Sequence, residues 1–273
     1  MPNRPARPEH PADPWQRLRQ FTRARVAIGR TGHAQTTETV LAFGLAHAQA
    51  RDAVHLPLDT QAIDAALRDA GLDTVHVHSA AQDRDQYLRR PDLGRRLDDD
   101  SRAALAADAG ADNRADPGAD PGADAQPFDV VFVIADGLSA LAAQRHAVPL
   151  LQAVLARLPA WRTGPVVVAR QARVALGDEI GERLQARQLV MLIGERPGLS
   201  SPDSLGIYLT YDPRVGRTDA QRNCISNVRP EGLPYAQAAD RLAFLLRGAV
   251  ALGRSGVDLK DDSAASAATL PGA

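Results

Sequence analysis

The sequence predicts an α/β protein: a helical N-terminal region followed by a doubly wound, mainly parallel, Rossmann-like sheet. Three observations predict it. The runs Phe128-Asp-Val-Val-Phe-Val-Ile-Ala, Val166-Val-Val-Ala and Leu189-Val-Met-Leu-Ile-Gly are apolar with little polar alternation, the pattern of strands buried on both faces. Amphipathic stretches separate them, as crossover helices must in a parallel sheet. Before residue 98 the apolar residues recur mostly at helical spacing instead.

Each element follows in chain order. Residues 1–12 are a polar, proline-rich lead, with too little apolar surface to offset ordering entropy. Asp13 caps and Pro14 opens a first helix, whose Trp15, Leu18, Phe21, Ala24 and Ile28 are helically spaced up to Gly29 and Gly32. Thr36 or Thr37 caps a second helix carrying Val40, Leu41, Phe43, Leu45, Ala48 and Val54. A third runs from Thr60 to Ala70, stopped by Gly71, and Leu72 to His78 alternate as a short strand. Tyr87 to Arg90 lead into Pro91, and residues 92–97 form a turn and short helix. Residues 13–97 are thus expected as one mainly helical region.

Residues 98–127 then change character. Residues 98–126 carry eight Asp against Arg102 and Arg114, with a near-repeat of Ala-Asp-Pro-Gly, so a flexible acidic linker is expected. Residues 128–255 form the sheet domain. A helix follows Asp136-Gly-Leu-Ser as far as Leu158, another spans about Asp178 to Ala186, Ile207 to Tyr211 form a fourth strand, and Tyr235 to Leu252 a closing helix. Residues 256–273 read as a loose tail.

Composition narrows the function classes. A chain of 273 residues can bury a core without staples. Its one cysteine, Cys224, permits no internal disulfide, which fits a reducing cytosol. The formal net charge of −1 argues for neither nucleic acid nor an anionic membrane. Arginines supply nearly all the positive charge, Lys260 being the one lysine, which reads as coding bias rather than a basic patch. No apolar run reaches the roughly 18–20 residues that span a bilayer, and the N-terminus lacks a secretory pattern. A soluble, cytoplasmic protein is expected.

Ligands of parallel sheets bind beyond the carboxyl ends of the strands. Asp136-Gly137-Leu138-Ser139, Arg170 to Val174 and Gly194-Glu195-Arg196-Pro197-Gly198 lie there. Glu195 is either a solvated loop residue or a carboxylate accepting hydrogen bonds from ligand amides. Cys224 is more often a small apolar residue than a nucleophile. His76 and His78 alternate on a strand with no Cys or acidic pair beside them, so no metal site is expected. There is no G-x-S-x-G elbow, no G-x-x-x-x-G-K-[ST] loop and no G-x-G-x-x-G after a strand.

Five stretches in order carry a resemblance: Asp13-Pro-Trp-Gln-Arg-Leu-Arg through Thr22-Arg-Ala-Arg-Val-Ala-Ile-Gly-Arg-Thr-Gly, Tyr87-Leu-Arg-Arg-Pro-Asp-Leu-Gly-Arg-Arg-Leu, Ile134-Ala-Asp-Gly-Leu-Ser, Gly194-Glu-Arg-Pro-Gly-Leu and Cys224-Ile-Ser-Asn. The chain resembles the small subunits of ethanolamine ammonia-lyase from about residue 13 to 255, interrupted by the acidic insert. The resemblance implies a complex with a larger barrel-shaped subunit and adenosylcobalamin held between the two. Its cofactor-touching positions fall on Val174, Glu195 and Cys224. It implies conversion of ethanolamine to acetaldehyde and ammonia, with the radical-handling residues on the large partner, so no catalytic residue is expected here. A D-x-H-x-x-G signature is missing, which implies that the cofactor keeps its own benzimidazole ligand. Packaging within a bacterial microcompartment is left open. The rival expectation is a stand-alone doubly wound module that binds a small ligand without a catalytic partner.

Overall fold

Alternation along the central strands decides which helices can cover them. In β4 (Val131–Ala135) and β6 (Gln188–Gly194) every residue is buried, so both faces of the sheet must be covered there. In this computed structural model the described residues are 17–18, 21, 25–26, 28–112 and 128–263. A hairpin of β1 (Arg30–Thr31) and β2 (Ala34–Gln35) leads into α1 (Thr37–His55), α2 (Thr60–Asp69), β3 (Thr74–His78), α3 (Arg84–Arg89) and α4 (Asp99–Asp112). After β4 come α5 (Ala140–Leu155), β5 (Val166–Arg170), α6 (Leu176–Arg183), β6, β7 (Leu205–Tyr211), β8 (Arg222–Val228) and α7 (Tyr235–Leu252).

The six-stranded sheet has the order β3-β5-β4-β6-β7-β8. The first four strands pair in parallel and the last two antiparallel. The mixed α/β class with a mostly parallel sheet is as the sequence predicts. Phe132, Ile134, Val168, Val190 and Leu192 face one side, with residues of α2, α5 and α7. Val131, Val133, Val167, Leu189 and Met191 face the other, with Leu105 of α4 and Leu176 and Ile180 of α6. Successive crossover helices α5 and α6 therefore lie on opposite faces, and their loops diverge above the neighbouring strands β4 and β5. Such a divergence opens a crevice at the strand ends.

Three details differ from expectation. The strand predicted near residue 74 is no part of a separate helical region: β3 pairs with β5 from Thr74 opposite Val166 to His78 opposite Arg170. The expected linker begins as a helix, α4, because Asp98 caps it through the Ser101 N–H at 2.8 Å and Leu105 is fully buried. Residues 113–127 lie outside the described residues. Cys224 lies in β8, a strand beyond the four expected in the sheet domain. The helix predicted from Pro14 falls largely outside the described residues, Trp15 included; Phe21 is 84% exposed.

The long helix α1 buries only Ala53, while Val40, Leu41, Phe43 and Leu45 are exposed. It is held at its far end, where Arg84 Nε donates to Val54 O at 2.6 Å. No described helix is long and apolar enough to cross a membrane.

Candidate functional site

The antiparallel strands leave one face partly bare. Leu205, Ile207, Leu209, Ile225 and Val228 turn toward the covered side. Gly206, Tyr208, Cys224 and Ser226 take the opposite side. Cys224 pairs with Tyr208 across the strands and is exposed, its Sγ 3.3 Å from Ser226 Oγ. Burial, and next the neighbouring Cys224, push the Tyr208 hydroxyl above its ordinary pKa.

Two cavities open on this side. One, of about 750 Å³, lies among Arg95, Val174, Asp178, Tyr208, Arg217 and Arg222. The other, of about 500 Å³, lies among Tyr87, Leu138, Ile193, Glu195 and Tyr208. Arg173, Val174 and Tyr208 line both, so the two form a continuous cleft over the strand ends.

Two glycines set the mouth of the smaller cavity. The turn after β4 lies on the end of β6, where Leu138 N donates to Gly194 O at 2.9 Å. A Cβ at Gly194 would stand 2.0 Å from Ser139 O, and one at Gly137 2.2 Å from Gly194 O. Gly137 also has φ of 53°, a backbone region costly for other residues. This close approach puts Glu195 at the rim. Its Oε2 accepts a short hydrogen bond from Ser204 Oγ and another from Asn227 N at 3.2 Å. Its Oε1 lies over Gly206, where a Cβ would come within 3.1 Å of it. One carboxylate oxygen is thus braced by the chain, and the other sits on the cavity wall.

The loop carrying Val174 is fixed from below by Asp136. The buried Asp136 carboxylate accepts from Gln171 N at 2.8 Å and Ala172 N at 3.0 Å, with Arg84 at 3.6 Å. Burial pushes this carboxyl above its ordinary pKa, opposed by those N–H groups and by Arg84. Tyr87 is fully buried and donates its hydroxyl to Ala172 O at 3.0 Å. Two guanidinium groups also lie over its ring, Arg173 at 4.2 Å and Arg84 at 4.6 Å from the centroid, a favourable arrangement for cations over an aromatic face. Arg173 N donates to Gly94 O at 2.8 Å, which locks the loop to the turn after α3.

Most charge in the larger cavity is neutralised internally. Arg222 grips Asp178 with two bonds of 2.7 and 2.8 Å, both side chains being 3% exposed. Arg217 pairs with Asp212 at 2.7 Å, and Arg96 with Asp92 at 3.7 Å. Among the described residues no group of three or more His, Cys, Asp or Glu side chains could hold a metal ion. His76 pairs with Asp64 at 2.9 Å instead.

Of the residues named from sequence, Val174 and Glu195 line the smaller cavity, and Cys224 stands one strand away beside Tyr208. Sequence reading did not single out Tyr87, Arg173 and Tyr208 as cleft residues. Only Arg173 had a local signal, being inside the Arg170 to Val174 strand end.

The geometry can be set beside known proteins. The family model for "Ethanolamine ammonia-lyase light chain (EutC)" matches residues 12–260. The ethanolamine ammonia-lyase small subunit of Azotobacter vinelandii is 56% identical over 266 residues, 96% of this chain and 92% of that protein. The small subunit of Ralstonia nicotianae is 57% identical over 251 residues, 91% of this chain and 88% of its own length. One of the same name from Pseudomonas fluorescens is 54% identical over 258 residues, with 94% and 90% covered. A match of that depth over nearly the whole length leaves one assignment: the chain belongs to the ethanolamine ammonia-lyase light-chain, or small-subunit, family.

Proposed function

We propose that this chain supplies one half of an adenosylcobalamin site and that a large ethanolamine ammonia-lyase subunit supplies the other. The observation that carries the reading is the convergence of Val174, Glu195 and, beside Tyr208, Cys224 on one open cleft. The residues suit the cofactor chemically. Glu195 offers a carboxylate oxygen over Gly206, and the amide groups around a corrin are hydrogen-bond donors that a charged acceptor holds strongly. Val174 and the Tyr208 ring offer apolar contact, and Gly206 lets the Glu195 side chain and the Tyr208 ring lie close against the strand.

The cleft is open on its outer side, so a second wall must come from elsewhere. Sites that enclose drug-sized ligands measure about 300–1,000 Å³, and a cobalamin is larger than those ligands. The exposed apolar residues Val40, Leu41, Phe43 and Leu45 of α1 add surface for a partner. When bound, adenosylcobalamin supplies cobalt–carbon homolysis and the radical that takes hydrogen from ethanolamine, on the way to acetaldehyde and ammonia. The task of this chain is to bind, orient and exclude water. Asp136 and Tyr87 keep the Val174 loop in place, and Ser204 and Asn227 keep Glu195 aimed. No residue here is assigned to the bond-breaking steps.

Titration of the reconstituted two-subunit complex with adenosylcobalamin tests this. Glu195→Ala is expected to weaken binding by about 10-fold or more, the loss of a hydrogen bond to a charged group. Unchanged affinity would remove Glu195 from the site. A chain that stays monomeric beside a competent large subunit and binds a small ligand alone would favour the stand-alone module.

A further inference from the structure

We infer that Arg173 binds the phosphodiester of the cofactor's nucleotide tail, an inference that rests on the cleft being half of a cobalamin site. Arg173 stands on the wall common to both cavities. Its guanidinium lies 4.2 Å from the Tyr87 ring centroid, and Nη2 donates to Tyr87 O at 3.2 Å. Its Nε is buried and has no hydrogen-bond partner. That nitrogen is shut off from solvent, so the donor left for a ligand is Nη1, which bonds to nothing among the described residues.

Its neighbours sharpen the point. Arg222, Arg217 and Arg96 each have a carboxylate within 4 Å, whereas Arg173 has none among the described residues. Arg84, which also lies over the Tyr87 ring, adds a second positive charge, offset by the buried Asp136. Asp136 and Tyr87 also hold the Gln171–Ala172 backbone, so the guanidinium is presented on a rigid loop. The site therefore carries a fixed, half-buried cation with an unused donor. Corrin amides are neutral, and a charged acceptor pairs with a guanidinium far more strongly than a neutral one does. The phosphodiester is the anionic group on the tail of a cobalamin, and the larger cavity beside Arg173 gives that tail a place distinct from the rim at Glu195.

The test compares two corrinoids on the reconstituted two-subunit complex by equilibrium absorbance titration: a cobalamin, and cobinamide, which lacks the nucleotide tail and its phosphodiester. Arg173→Gln is expected to weaken cobalamin binding by about 10- to 100-fold and to leave cobinamide affinity within about 3-fold of wild type, a change too small for a lost charged contact. Arg173→Lys, which keeps the charge and loses the fork, is expected to fall between. Retained cobinamide binding also shows that the variant is folded and assembled. Equal loss for both corrinoids would overturn the inference, leaving Arg173 as a support for the loop or a partner of a corrin amide. So would unchanged cobalamin affinity. A wild-type complex that binds neither corrinoid would overturn the reading of the cleft itself, whereas tight wild-type binding with a tail-independent loss would overturn this assignment alone.

Discussion

The two faces of one sheet are built by different rules. On the side of α2, α5 and α7 the contacts are mainly apolar from β5 across to β8, with Leu150, Leu151, Leu242 and Leu246 fully buried and one polar cluster of His146, Asp203, Arg229 and Tyr235. On the side of α4 and α6 the apolar cover stops at β6, the Arg222–Asp178 pair is buried beyond it, and the Tyr87 ring meets Arg173 in the loop after β5. Apolar burial is non-directional and closes wherever volumes fit. Charged and hydrogen-bonded contacts are directional, and they leave a shaped cleft. Both sides contribute stability, but the second also leaves a shaped opening for a ligand.

The largest test of that contrast falls on the second side. Arg222→Ala strands the Asp178 carboxylate in the interior and is expected to cost about 3–5 kcal/mol of folding free energy, read as a lower urea midpoint. A loss below about 1 kcal/mol, the scale of an exposed pair, would mean that water reaches the pair and that the cleft is less closed beneath than described. Leu150→Ala removes a fully buried side chain from the first side and is expected to cost about 2–5 kcal/mol. In the same variant, corrinoid affinity of the folded complex should be unchanged; a parallel loss would erase the division of labour.

A smaller effect should appear in acid. Glu179 accepts from Leu97 N at 2.9 Å and from Arg102 Nε at 2.7 Å. Burial alone would raise its carboxyl pKa, but these donors and Arg183 hold it below the ordinary value. A depressed carboxyl binds its proton more weakly in the folded state than in the unfolded state. Its stabilisation is therefore present above the unfolded value of about 4.3, and is lost as the pH falls toward the folded value. Urea midpoints measured from pH 7 to pH 3 should decline in that window, and Glu179→Gln should flatten the decline. A slope unchanged in the variant would assign acid sensitivity to other carboxylates.

How much could be read beforehand depended on how local the cause was. The β4 and β6 runs were legible because strands covered on both sides need apolar residues at every position. β8 was not, since Arg222-Asn-Cys-Ile-Ser-Asn-Val mixes polar residues facing the cleft with Ile225 and Val228, and an irregular register near Leu205 breaks the two-residue period. The acidic composition after residue 98 hid α4, whose formation depends on Leu105 finding a place beside β3 and α6. β3 was legible as a strand, but its partner β5 lies about ninety residues further on, so its sheet was not. Glu195 could be nominated because a strand end is a local signal. The Arg84–Tyr87–Arg173 stack joins segments far apart in the chain, and nothing local in Tyr87 announces it.

The exposed position of Cys224 has a practical consequence. It is the only thiol in the chain, and it sits on the bare side of β8 next to Tyr208. A maleimide fluorophore would therefore attach at one defined point beside the cleft, with no other cysteine to remove first. The rate of that alkylation, slowed when a partner or corrinoid covers the strand, would make the unmodified protein its own reporter of occupancy.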